Sequence, residues 1–506
     1  MDNCPSGKRC VLGFDEFGFA VFRRHCRRWR RQHRSHDYSF PSVSTSRMEL
    51  WQDILNNWSE AGAQWTDKIH SFIESGVPTK LRGQLWKCLL GSDGVKQIST
   101  HTYQDYVQDL RSRLAVLGVN EYGVQMAVST LASAQRVWAE MDGGTRNLSP
   151  DQHPEVKIEI LRQIVLDVER SFPTHCSLMG RSPEAKEGQA RLFRILSAYA
   201  EYNPQIGYCQ GMSYIAAMLL MNMQEEDAFW ALVVLLETPK YLAGFYEHSL
   251  DTIQRYAKIF EQLLKHRMPC LWQHMENLKV APLLFITTWF LTLFTSLPCW
   301  DTVLAIWDLI ILDGINIIFS TGLCILQLLE PRLLAMSDVS LLLPTLLRIP
   351  VDVSRYSTLI PALWMTKVYN WELDCMQCVV LEEEEEEVLP SGRHSIQTSA
   401  VTEVTNMERK DATNLKGDDG KKPSKSSAST GRGHETLKNM FTKIGKIARC
   451  HLKNLCHLPE DPAVSQSQDR TPVALGHSKR RPSALGGKGV VWRVTYRSGR
   501  TERTPP

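Results

Sequence analysis

Hydrophobic positions recur at helical spacing through most of the middle of this chain. Trp51, Ile54, Leu55, Trp58, Trp65, Ile69 and Phe72 make one stripe, and Leu81, Leu85, Trp86, Leu89 and Leu90 make another. Between them Gly76-Val77-Pro78 stops one helix, with Thr79 placed to cap the next. Helical patterns then run from Pro154 to about Arg170 and over 187–200, 212–223, 228–236, 250–265, 281–297, 303–311, 321–329 and 339–347, separated by Pro, Gly and Asn breaks. Few stretches alternate with period two, so the pattern predicts an all-α fold. Residues 97–150 are the least regular part, with a helical patch near 106–117 and Gly- and Asn-bearing loops after it.

Composition marks the ends of this body. Nearly all of the 14 Trp fall between Trp29 and Trp371. After Val380 comes an unbroken run of six Glu, 382–387, and then Ser, Thr, Lys and Gly dominate, as in a disordered tail. One stretch of that tail, 436–458, sets Leu437, Met440, Phe441, Ile444, Ile447 and Leu455 in an apolar stripe with Lys438, Lys443, Lys446, Arg449 and Lys453 around it. Such basic amphipathic helices bind anionic membranes or partner grooves. At the other end, the Arg-rich run 23–34, with Arg23, Arg24, Arg27 and Arg28, sits in a Ser-rich leader with no core pattern and reads as a solvated arm.

The net charge of +3 hides an asymmetry. Residues 1–36 carry +6 and residues 421–506 carry +13, leaving −16 on 37–420. An acidic body argues against nucleic-acid binding, while basic ends suit anionic membrane surfaces or acidic partners. The 13 Cys are odd in number and lack framework spacing, which reads as a reduced cytosolic protein; Cys375-x-x-Cys378 has no second pair nearby to complete a zinc site. Met1–Cys10 has no apolar signal-peptide region. The 17 uncharged residues 281–297 reach only the lower limit of a membrane span and are bracketed by Pro282 and Pro298. The apolar segment after it, 303–319, contains Asp308 and Asp313, so two buried core helices are the expectation and a membrane-spanning protein the weaker reading.

Self-contained nucleotide or peptide chemistry has no home here: the sequence lacks a P-loop, the protein-kinase motif set, H-E-x-x-H and G-x-S-x-G. Taken singly, Arg170 is a cation in the last turn of a helix with Asp167 three residues before it, and Gln210 is an amide in a Gly-flanked turn. The order of motifs says more. Gly76-Val77-Pro78 with Arg82-x-x-x-Trp86 is followed by Ile164-x-x-Asp167-x-x-Arg170, then Tyr208-Cys209-Gln210-Gly211-Met212, then Trp307-Asp308 with Gly314. This ordered set resembles the TBC-domain family of Rab GTPase-activating proteins over about residues 74–370.

The resemblance implies a multi-helix domain in two helical lobes that accelerates GTP hydrolysis by a Rab-type GTPase in its GTP state. It makes Arg170 the arginine finger and Gln210 the glutamine finger, both supplied in trans. GTP and Mg²⁺ then belong to the partner, and the chain needs no cofactor or metal of its own. A guanidinium stabilises charge on the transferring phosphoryl group, and an amide both donates and accepts, so it can orient the attacking water. Supporting roles follow for Asp167, which orients Arg170, and Asn203, which fixes the loop before Gln210. Gly207 and Gly211 are expected to let the partner approach the backbone closely. Arg82 and Trp86, at i and i+4, are expected to stack as a cation–π pair behind the site. The organisation expected is a basic, largely disordered leader over 1–47, a helical lead-in over 48–73, the TBC domain over 74–370 with its motifs in 74–314, and a disordered tail over 380–506. The expected location is cytoplasmic, with the basic ends placing the chain peripherally on endomembranes. A Rab–GTP-binding scaffold with little activity is the rival reading.

Overall fold

Helices carry nearly all the regular structure of the residues described by the computed structural model, which are 11–23, 34–58, 68–116, 118–123, 154–247 and 249–388. A two-stranded antiparallel hairpin, β1 (Val11–Phe14) and β2 (Ala20–Phe22), comes first. Then follow α1 (Thr45–Asn56), a helical stretch over 68–74, α2 (Arg82–Leu90), α3 (Ser92–Ile98) and α4 (Tyr103–Val116). The motif-bearing helices are α5 (Pro154–Arg170), α6 (Pro183–Tyr202), α7 (Met212–Asn222) and α8 (Glu225–Glu237). The remainder comprises α9 (Asp251–Arg267), α10 (Pro269–Asn277), α11 (Leu283–Leu291), α12 (Trp300–Asp313), α13 (Ile315–Leu334), α14 (Val339–Leu347), α15 (Val351–Ser354), α16 (Tyr356–Met365) and α17 (Asn370–Val388).

Packing sorts these helices into two groups. Helices α2 to α8 pack on one another, with α6 touching α4, α5, α7 and α8, and α9 to α17 do likewise, with α13 touching α10, α11, α12, α15 and α16. The groups join where α2 lies on α12. That join is held by a buried ion pair: Arg82 Nε donates to Asp308 Oδ1 at 3.0 Å, and Trp86 Nε1 donates to the same oxygen at 2.7 Å. Trp86 also stacks on Trp307, with centroids 5.5 Å apart. This replaces the cation–π pair expected between Arg82 and Trp86. A buried carboxylate is a stronger attractor for both N–H groups than an aromatic face.

Local sequence explains the boundaries near the site. Ser182 Oγ accepts from the Ala185 amide ahead of Pro183, an N-cap followed by proline at the first helical position of α6. Helix α7 begins after Gly211, whose φ of 115° suits only glycine and whose added Cβ would lie 2.9 Å from the Leu291 carbonyl oxygen.

Several expectations change at the edges. The apolar stretch 281–297 gives only nine helical residues, α11, because Leu293 and Phe294 turn the chain with φ of 45° and 59°. Among the described residues one helix, α13, is long and apolar enough to cross a membrane, yet 61% of its apolar window is buried inside the protein, as in a core helix. The leader is partly folded: 11–23 includes the hairpin, Phe19 lies in the main core, and α1 begins at Thr45. Helix α17 continues through the Glu run to Val388, eight residues beyond the boundary read at 380. It is held along α9 by Arg267 with Glu372, Lys258 with Glu384 and Gln262 with Glu383. The basic stretch 436–458, with Lys438, Lys443, Lys446 and Arg449, lies outside the described residues, as do Arg24, Arg27 and Arg28.

Candidate functional site

Arg170 is the last residue of α5, where the helix dipole favours a cation. Its Nη2 lies 2.5 Å from Asp167 Oδ1, one turn earlier; the Arg170 side chain is 42% exposed and that of Asp167 only 7%. The other carboxylate oxygen of Asp167 accepts from the Tyr208 hydroxyl at 2.6 Å. Tyr208 is buried, and burial beside the Asp167 charge pushes its pKa well up, so the phenol remains a donor. Burial also raises the pKa of Asp167, although the bonds from Tyr208 and Arg170 pull the other way.

This carboxylate ties the two sequence motifs together. Asp167 and Arg170 come from α5, whereas Tyr208 belongs to the loop that carries Gln210 two residues later. Two more contacts close the same seam: Ser171 Oγ donates to Ser213 Oγ in α7 at 2.8 Å, and Tyr214 Oη lies 3.5 Å from the Arg170 carbonyl oxygen. Gln210 itself is exposed, immediately before the positive end of the α7 dipole. Burial pushes the neighbouring Cys209 thiol up to about 11, so it stays protonated at neutral pH.

Asn203 bonds within the loop that precedes Gln210. Its side-chain Oδ1 accepts from the Ile206 amide at 3.2 Å and its carbonyl from the Gly207 amide at 2.8 Å, while Nδ2 donates to Glu237 Oε1 at 2.9 Å. Gly207, at φ 59°, and Gly211 are both buried, and a Cβ would meet Ile160 at the first and the chain's own Leu291 at the second. Arg82 and Trp86 contact Asp308, Val77 and Trp307, none of them Arg170 or Gln210. Trp307 leads from them toward the site: its indole donates to the Leu293 carbonyl, two residues beyond the Leu291 that closes on Gly211.

The profile of the Rab-GTPase-TBC domain family matches residues 79–334, half of the chain. The chain belongs to this family. Its TBC domain is 32% identical over 285 residues to TBC1 domain family member 10A of Mus musculus, an alignment covering 56% of this chain and 47% of that protein. It is 31% identical over 281 residues to TBC1 domain family member whacked of Drosophila melanogaster, covering 56% of this chain and 64% of the relative. The chain thus spans about half to two thirds of the length of these relatives. Among solved structures, the Chlamydomonas flagellar RabGAP TBC domain aligns over 64% of this chain and 97% of its own, at 22% identity and a TM-score of 0.41.

Sequence reasoning named Tyr208 only as a motif letter and passed over Ser213, because a buried hydroxyl that bonds across a helix junction looks the same in sequence as any other. It also placed Arg34 in a solvated arm. The guanidinium of Arg34 instead lies 4.1 Å from the Phe19 ring centroid and 4.5 Å from that of Trp300, and burial lowers its pKa to about 10. Arg23 is exposed on the same segment. Cys375 and Cys378 are exposed free thiols on α17, and among the described residues no group of His, Cys, Asp or Glu is arranged to hold a metal.

Proposed function

We propose that this chain is a GTPase-activating protein for a Rab-type GTPase in its GTP state, with Arg170 and Gln210 completing the partner's active site. The observation that carries the reading is the Tyr208–Asp167–Arg170 chain, which sets an exposed guanidinium and an exposed amide on one seam. One bond to Asp167 leaves Arg170 with further N–H donors for phosphoryl oxygens, and the planar fork reaches two at once. Gln210 offers a carbonyl to the attacking water and an N–H to the γ-phosphate. Nucleotide and Mg²⁺ are the partner's in this scheme. Arginine fingers supplied in trans accelerate hydrolysis by about 10³–10⁵-fold.

Single-turnover GTP hydrolysis across a Rab panel tests this. At least one Rab is expected to respond to the wild type, with the response lost in Arg170→Ala and sharply reduced in Gln210→Ala. A Rab–GTP that binds without faster phosphate release would establish the scaffold reading instead. The basic ends support a cytoplasmic protein held peripherally on anionic endomembranes, and binding to anionic liposomes should then weaken steeply with salt.

A further inference from the structure

The turn that follows Arg170 is held by a part of the chain outside the family match. That part comprises residues 11–23 and 34–41, well before residue 79, where the match begins. Within them Asp15 organises a tight turn: Oδ1 accepts from the Phe17 and Phe19 amides at 3.0 and 2.8 Å, and Oδ2 pairs with His36 Nδ1 at 2.7 Å and accepts from Tyr38 at 2.5 Å. The opposite side of that turn grips residues 174–176. The Ala20 amide donates to the Thr174 carbonyl at 2.8 Å, and the Cys176 amide donates to the Gly18 carbonyl at 2.7 Å. His175 Nε2 lies 3.0 Å from the Phe17 carbonyl, which can only accept, so that nitrogen carries the proton.

The gripped turn is strained. Phe172 has φ of 44°, a left-handed conformation unfavourable for a bulky residue. Its ring is fixed by Phe19, Trp300 and Tyr214, and Arg34 lies against the outer two aromatic partners of that set, Phe19 and Trp300. Strain of this kind persists only where the surroundings over-determine it. Arg170 is two residues away, at a helix end, where an unsupported last turn frays.

We propose that residues 11–23 and 34–41 are a working part of the catalytic unit: they clamp the 171–176 turn and so fix where Arg170 points, which makes Gly18 and Phe19 positioning residues. The proposal rests on the finger reading of Arg170. Release of the clamp lets Phe172 relax and the last turn of α5 loosen, and misplacement of a reacting group by about 1 Å costs up to about 10²-fold in rate.

Gly18→Val tests it at the edge of the core. A Cβ on Gly18 would lie 2.6 Å from His175 Nε2 and 2.9 Å from Cys176 Sγ, at a φ of 86°. Phe19→Leu is the second variant; it keeps an apolar residue at the site and removes the ring. In single-turnover hydrolysis with a responsive Rab, both are expected to lower kcat about tenfold and to change KM by less than about twofold. An unchanged kcat overturns the proposal. Amide hydrogen exchange reads the clamp without any GTPase: residues 171–178 should exchange at least about tenfold faster in Gly18→Val while α13 stays protected. Unchanged exchange there also overturns it. If the wild type accelerates no Rab, the finger reading fails and takes the catalytic consequence with it, and the exchange experiment then reports the clamp alone.

Discussion

Two arginine–aspartate pairs in this molecule are built from similar parts and do opposite things. Arg82 and Asp308 join α2 to α12, with Trp86 donating to the same carboxylate; Arg170 and Asp167 end α5, with Tyr208 donating to the carboxylate. The difference is solvent. Arg82 and Asp308 are 6% and 3% exposed, whereas Arg170 is 42% exposed over a buried Asp167. In the first pair every partner is internal, so the guanidinium is locked and its work is done once the chain folds. In the second the carboxylate is anchored and the guanidinium is only leaned against it, free to give part of its fork to an incoming anion. Identical residue types are closed off as a rivet or left open to solvent according to which face is covered.

The largest expected effect falls on the open pair. Arg170→Ala should lower the stimulated hydrolysis rate by about 10³-fold or more, equivalent to about 4 kcal/mol in the barrier, and leave the denaturation midpoint nearly unchanged. A large loss of stability would mean that this pair is a rivet too. The closed pair should behave in reverse. Asp308→Ala strands a buried guanidinium and should cost about 3–5 kcal/mol of folding stability, read by urea denaturation.

The turn after Arg170 should show itself through pH. Burial lowers the His175 pKa from 6.5 to about 4, so folding keeps this imidazole neutral. The unfolded chain takes up a proton below pH 6.5 while the folded one does not until about 4, so acidification through that window favours unfolding. The loss should reach about 2 kcal/mol at pH 5. Denaturation at pH 7 and 5 should therefore show a smaller difference in His175→Gln than in the wild type. A smaller effect is expected of Tyr208→Phe, which takes one donor from Asp167. It should cost about 1 kcal/mol in stability and lower kcat with little change in KM, since Asp167 then has only Arg170 to hold it. A change confined to KM would show that Tyr208 serves binding instead of orientation.

Much of this was legible along the chain. The boundaries of α5 and of α14 follow from Pro154, Arg170 and the 3.6-residue pattern, and the ordered motifs led to the family. Helices α10 and α16 were passed over. The hairpin escaped because Asp15 to Phe19 has no periodicity, and its Arg-rich continuation pointed to solvent. The length of α17 was also misjudged, because a run of glutamates carries no apolar stripe. Helical continuation there draws on cations and amides of α9 that are distant in sequence.

By itself, then, the sequence determined the helical class, the family and the residue types at positions 170 and 210. Those depend on local periodicity, on turn chemistry and on motif order, all of which are written along one dimension. Tertiary structure alone decided that Asp308 is shared by Arg82 and Trp86, that Asp167 is shared by Arg170 and Tyr208, and that a strand pair from the leader rests on the turn after Arg170. A carboxylate has two oxygens and accepts from whichever donors the packing brings within about 3 Å. Which donors those are, and which side of the arginine stays in water, is set by how helices remote in sequence come together.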